Sequence, residues 1–235
     1  FKMDNSSNSR ENSGEYWLTI SDLMSGLMVV FLFISVAFMR YKESENDKIK
    51  NIAITYEKNQ TAIHKALHEE FKLDLKKWNA SINGETLSFE FNSPEVLFKT
   101  GSSEINRHFQ QILSDFIPRF LKTLEQFNPS IQEVRIEGHT SSEWQQEKNQ
   151  NTAYFKNMQL SQERTLSILK YSYYIPQVSI KQKEWIKSNL VAVGFSSSKI
   201  IVDLNGIEDK KRSRRVTFRI ITNADSEIRK ILTGI

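Results

Sequence analysis

The stretch Trp17–Met39 reads WLTISDLMSGLMVVFLFISVAFM, a predominantly apolar run with a single charged residue, Asp22. At about 1.5 Å rise per residue its roughly 23 residues make a helix of about 35 Å, enough to cross a hydrocarbon core of about 30 Å with some tilt. The spacing therefore predicts one transmembrane helix over 16–41. A cleavable signal peptide has a shorter apolar core and a small-residue cleavage site, whereas Arg40, Tyr41 and Lys42 follow this run directly. Tyr16 and Trp17 at one end and Tyr41 at the other match the aromatic residues that sit at headgroup level.

A charged side chain in hydrocarbon costs about 2.5 to 3.5 kcal/mol even on lenient insertion scales, so Asp22 needs a reason. At about 100° per residue Thr19, Asp22, Ser25 and Gly26 share one face, while Phe31, Phe33, Phe38 and the aliphatic residues fill the rest. Small and polar residues on one stripe let a second helix approach or line a water-filled path. Plain packing with a protonated carboxyl is the alternative, but packing alone gives no reason for an acid where Ser or Gly would serve. Asp22, with Thr19 and Ser25 beside it, is the candidate proton-binding site. A carboxyl whose surroundings alternate between dry and wet takes up and releases a proton. One proton crossing about 100 mV carries roughly 2.3 kcal/mol.

Outward from this helix, residues 1–15 are rich in Asn and Ser and lack apolar periodicity, which predicts a short disordered tail. From 42 to 77 the chain is strongly charged, with Ile49, Ile52, Tyr56, Ile63, Leu67, Phe71 and Leu75 mostly three, four or seven apart. That pattern predicts a self-associating helical stalk. His64 and His68, four apart on it, lack a third ligand, and no metal is expected there. Removing the anchor leaves roughly 190 residues, enough for one compact domain. The absence of cysteine excludes disulfides, thiolate nucleophiles and Cys-ligated zinc, and suits either a reducing cytoplasm or a bacterial periplasm. The net charge of +4 permits nucleic-acid binding without demanding it.

The domain is expected to begin at 78. Asn83-Gly84, between Trp78–Ile82 and the alternating Leu87, Phe89 and Phe91, signals a hairpin. An apolar patch (Val96, Leu97, Phe98) and a Ser102/Ser103 cap precede an amphipathic helix through Phe109, Ile112, Leu113, Phe116, Phe120 and Leu124. A strand over 131–138, a long loop, a helix around Leu160–Leu169, a helical stretch near Trp185, a strand at 190–195 and a last strand at 216–221 complete an α/β sandwich.

Five segments in this order carry a resemblance: Phe98-Lys-Thr-Gly-Ser-Ser103, Glu137-Gly-His-Thr140, Asn157-x-x-Leu160-Ser161-x-x-Arg164, Gly194-Phe195-Ser196 and Arg214-Arg215-Val216. Over 78–222 they resemble the OmpA-like peptidoglycan-binding family, which implies a mixed four-stranded sheet with helices on one face. Tail, single helix with an early Asp, stalk and this domain together resemble the MotB stator family. The stretch around Ser21-Asp22-Leu23-Met24-Ser25-Gly26 is closer still to the ZorB family of the Zorya anti-phage defence system. The resemblance implies a cytoplasmic tail at 1–15, a single pass through the bacterial inner membrane and its lipid, and a periplasmic domain; beyond its reach, 223–235 is a C-terminal tail expected to be helical. The resemblance overrules the Lys/Arg count, since Arg40, Lys42, Lys48 and Lys50 after the helix would put the domain in the cytoplasm.

The resemblance further implies a homodimer surrounded by a pentameric MotA- or ZorA-like membrane subunit, with peptidoglycan held through its diaminopimelate stem peptide. Thr140, Ser141, Asn157, Leu160, Arg164 and Arg214 are the wall-binding candidates. A planar guanidinium at Arg164 suits bidentate capture of a carboxylate, with Thr140 and Asn157 giving directional hydrogen bonds. Ser141 stands where the family has an Asp, which removes the partner of the ligand ammonium unless Glu143 replaces it. The implied function is a proton-driven, wall-anchored motor subunit in phage defence. Its alternatives are a flagellar-type stator subunit or a passive membrane-to-wall tether. A hydrolase lacks a nucleophile–base or metal constellation beside His139, so neither enzymatic activity nor a cofactor is expected. The basic residues Lys210, Lys211, Arg212, Arg214, Arg215 and Arg219 lack interleaved aromatics, and no nucleic-acid partner is expected.

Overall fold

The computed structural model describes residues 8–92, 97–99, 101–145 and 147–223, and of residues 8–16 the backbone alone. The expected helical tail therefore falls, from residue 224 on, outside the described residues, as do Val96 and Thr100. Helix α1 (Asn8–Phe71) contains an 18-residue window of mean hydropathy 2.2, none of it buried. It starts at Asn8, so the second half of the expected disordered tail is helical. Extending an existing helix adds one hydrogen bond per residue fixed, without the cost of a new nucleus.

Among the described residues the chain divides into two compact units, one within 8–52 and the other over 53–223. The second unit is built on strands β1 (Ala80–Asn83), β2 (Ser88–Asn92), β3 (Ile131–His139), β4 (Leu190–Ser196) and β5 (Arg215–Thr222). They form one mixed sheet in the order β1-β2-β5-β3-β4. The sheet has five strands, not the four implied by the resemblance. The extra one is the short edge strand β1, brought against β2 by the hairpin at Asn83-Gly84. There Asn83 Oδ1 accepts from the backbone N–H groups of Glu85 and Thr86. Gly84 is needed for space: a Cβ would lie 3.1 Å from the His64 ring.

Alternation separates the two faces of the sheet. Phe89, Phe218 and Ile136 are register neighbours, as are Ile220, Val134 and Leu190, and these point toward the helices. The opposite face carries Ser88, Glu90, Arg219, Thr217, Arg135 and Glu137. Helix α2 (Arg107–Glu125) buries Phe109, Ile112, Leu113, Phe116, Ile117, Phe120, Leu121 and Leu124, the stripe expected of a helix lying on a core. Its N-cap is Asn106, whose side chain accepts from Phe109 N, rather than Ser102 or Ser103. The antiparallel bridge Phe98↔Ile105 keeps the preceding segment extended and delays the helix. Phe116 is the hub, with ring centroids 4.6 Å from Phe89, 5.2 Å from Phe91 and 5.1 Å from Phe218.

The core starts earlier than the expected boundary at 78. Ile63, Leu67 and Phe71, read as stalk, are all fully buried within the second unit, and Phe71 lies 5.3 Å from both Phe89 and Phe116. The lower half of the stalk stripe is thus satisfied by its own domain instead of by a second copy. Arg119 of α2 fastens this turn: it reaches Glu70 at 2.7 Å and Asp74 and Asp115 at 3.0 Å, with its guanidinium 4.7 Å above the Phe71 ring.

Helices α3 (Gln150–Tyr174) and α4 (Ile180–Asn189) make the crossover between the parallel strands β3 and β4. Gly138 and Gly194 are register partners, and a Cβ on them would fall 2.8 Å from Ser161 O and 2.6 Å from Gln162 N. Two of the family-like segments thus owe their glycines to the close seating of α3 on the sheet. A last short helix, α5 (Lys210–Ser213), is capped by Asp209 and leads into β5.

Candidate functional site

In the first unit Asp22 lies on α1 among exposed apolar neighbours, Leu18 at 72% and Leu23 at 73% accessible. The Ser25 hydroxyl donates to the Asp22 backbone carbonyl at 2.9 Å. This i to i−3 bond satisfies the serine within its own helix. Thr19, Asp22 and Ser25 are all exposed in the isolated chain, one helical turn apart. The geometry is that of a carboxylate presented to whatever surrounds the helix.

In the second unit the wall-binding candidates gather where β3 ends. The Thr140 backbone donates to Ser196 O at 2.9 Å, and the Ser196 N–H to Ser161 Oγ at 3.1 Å, so the tips of β3 and β4 are pinned to α3. The loop after β3 is shorter than expected, because α3 begins at Gln150, well before the helix expected around Leu160–Leu169. It ends at Asn149, whose side chain caps α3 by accepting from Asn151 N and Thr152 N, and this puts Tyr154 and Phe155 on the helix.

Asn157 braces this loop. Its side-chain amide donates to Ser141 O at 3.2 Å and Glu143 O at 3.0 Å, and the residue is 3% exposed. Ser141 is buried as well, and the Thr140 hydroxyl is buried without a partner among the described residues. Glu143 forms an ion pair with Lys210, and Glu208 accepts from both the backbone and the hydroxyl of Ser142. The acid suggested as a replacement for the family Asp is therefore engaged by a lysine. Leu160 is half-buried on α3.

Arg164, two turns beyond Asn157, donates through Nε to Ser102 O at 3.0 Å and stacks its guanidinium 4.8 Å from the Phe98 ring. A Cβ on Gly101 would lie 3.7 Å from the Gln145 side chain, so the 97–103 segment also abuts the 140–149 loop. Segment, loop and α3 thus converge around Arg164 and Asn157. Arg214 precedes Arg215, the register partner of His139 at the tip of β3. Ser102, Gln145, Glu208 and Lys210 belong to the same assembly. Sequence offered a signal only for Ser102, through its motif, and for Lys210, through its basic cluster.

His139 and Glu137, both 5% exposed, lie on the polar face with Nε2 and Oε2 3.4 Å apart, and His139 stacks on Phe195 at 5.2 Å and 5°. Burial, aided by the Arg215 charge and opposed by Glu137, holds the His139 imidazole below its usual range, so the ring is neutral. Burial likewise lowers Arg215, which donates to the carbonyls of Lys199 and Ser213. Lys210 and Arg215, read in sequence within one basic cluster, thus serve internal contacts.

No family model matches the chain. It is 49% identical over 223 residues, 95% of its own length and 94% of the other's, to the Zorya protein ZorB of Escherichia coli. Among solved structures it is similar to a MotB-like protein from Desulfovibrio vulgaris (15% identity, TM-score 0.46, covering 75% of this chain and 94% of that one). It is also similar to the cell wall anchor of the type VI secretion system from Pseudomonas aeruginosa (17%, 0.45, 66% and 96%). A third likeness is to the periplasmic domain of Helicobacter pylori MotB (18%, 0.41, 63% and 84%).

Proposed function

This chain belongs to the ZorB family of Zorya proteins, and on that premise we propose that it is a wall-anchored, stator-like subunit of the inner membrane that acts in anti-phage defence. Its N-terminus is cytoplasmic, its single helix crosses the membrane and its mixed-sheet domain is periplasmic. Asp22 carries the proton. The observation that bears most weight is the carboxyl group of Asp22 on the apolar stretch Trp17–Met39 of α1, whose large apolar side chains are exposed among the described residues. Left in lipid it costs free energy; facing a surrounding subunit it becomes a site that loads and unloads a proton as that subunit changes state.

Since one helix does not make a channel, the ion path requires a homodimer of this chain inside a ring of a MotA- or ZorA-like membrane subunit, five to the ring. The domain grips peptidoglycan through its diaminopimelate stem peptide, with Arg164 on the carboxylate, so that torque has a fixed point to act against. Asn157 acts on the ligand indirectly, by holding the 140–149 loop.

The test is Asp22→Asn in cells carrying the whole defence locus. At equal membrane levels, with the domain still retained on sacculi, the variant is expected to lose protection against phage. Unchanged protection with full assembly would refute the proton-carrier role and leave a passive tether. Sacculus retention of Arg164→Ala tests the wall site separately, and retention equal to wild type would remove Arg164 from it.

A further inference from the structure

The groove between the C-terminal end of α2 and α4 holds a cavity of about 280 Å³. Its apolar wall is Trp185 and Leu121. Trp185 is half-buried, packing on the core while also lining the cavity. The polar wall is Asn128, Glu184 and the ion pair of Glu125 with Lys181, 2.7 Å apart. Among the described residues, the Asn128 amide, the Glu184 carboxylate and the Trp185 indole N–H have no hydrogen-bond partner.

We infer that this cavity is a second wall-binding site, one that takes a sugar ring of the glycan strand, of the N-acetylated hexosamine class. A pyranose has a flat face of C–H groups and an edge of hydroxyls. An indole covers the first, while a carboxylate and a carboxamide accept from the second, the carboxamide also pairing with an acetamido group. The cavity sits near the lower end of small-ligand pockets, a size for one ring rather than a stem peptide. Two carboxylates against one ammonium disfavour phosphates and free carboxylates. Lys181 already neutralises Glu125, so a cationic ligand finds only Glu184. The inference rests on the wall-anchoring reading for the source of the sugar, and on the cavity for its chemistry.

The full chain in lipid nanodiscs is titrated calorimetrically with N-acetylchitotetraose, which carries no peptide, and in parallel with a diaminopimelate stem peptide. Saturable sugar binding is expected, weakened about tenfold or more by Trp185→Ala, as the loss of an aromatic platform implies. Trp185→Phe should keep the affinity within about threefold, because the platform is retained. Arg164→Ala should leave sugar binding unchanged while weakening the stem peptide. Asn128→Ala, a change at a half-buried residue just beyond the end of α2, should weaken the sugar without touching the peptide, which guards against misfolding of Trp185→Ala. No saturable heat with wild type, equal affinity in Trp185→Ala and Asn128→Ala, or binding of cadaverine in place of the sugar would overturn the inference. Stem-peptide binding that survives such a result would leave the wall-anchoring function standing, and sugar binding without peptide binding would overturn only the Arg164 site.

Discussion

The apolar face of the first half of α1 and the apolar face of α2 solve the same problem in opposite ways. In α2 the stripe from Phe109 to Leu124 is buried against the sheet, whereas Leu18, Leu23, Met28, Phe33 and Phe38 of α1 are each more than half exposed. Burying one such side chain is worth about 1.5 to 3 kcal/mol, so α2 is stabilised by its own chain and α1 requires lipid or a partner. Polar residues follow the same division. Arg119 of α2 finds three carboxylates and an aromatic face inside the domain, while Asp22 is a carboxyl group whose role depends on what encloses the helix. One unit is complete as folded, and the other is completed by its surroundings.

That contrast predicts where substitutions act. Phe116→Ala removes the hub of the aromatic core and should lower the domain's unfolding free energy by about 3 to 5 kcal/mol without displacing the protein from membranes. Denaturant unfolding and membrane fractionation measure both, and a loss below about 1 kcal/mol would contradict the central place of Phe116. Gly194→Ala drives a Cβ onto the α3 backbone and should cost about 1 to 3 kcal/mol, read in the same unfolding curves. Arg119→Ala frees the end of α1 from α2 and, being partly exposed, should cost about 1 to 2 kcal/mol, with faster proteolysis around residues 70–78 as its local signature.

The smallest effect is one of pH. Because the folded pKa of His139 lies below its unfolded value, the unfolded chain binds more protons at mildly acid pH. The stability this neutral histidine permits is complete above about pH 6.5 and is lost as pH falls through the window below it. His139→Gln should flatten that part of the stability curve. An unchanged slope would show that another group governs it.

Much of the domain was legible because it is local. Period-2 alternation marks Leu87–Phe91 and Ile131–Gly138, and the 3.6-residue stripe marks α2. The hairpin at Asn83-Gly84 was legible too, yet the resemblance implied one strand fewer than the sheet contains. What depended on distant partners could not be read. Ile63, Leu67 and Phe71 have the spacing of a stalk and of a core helix alike, and only the sheet beneath them decides which. Asn157 has the position expected of a ligand contact, but the 140–149 loop, folding back over it, takes its amide. The engagement of Glu143 by Lys210 joins residues far apart in sequence and left no local pattern.

The central claim is that Asp22 moves protons, and cytoplasmic pH tests it most directly. Cells expressing the whole defence locus with a ratiometric pH reporter, challenged by phage, should acidify more with the wild-type chain than with Asp22→Asn at equal membrane levels. Equal acidification in both would contradict the account.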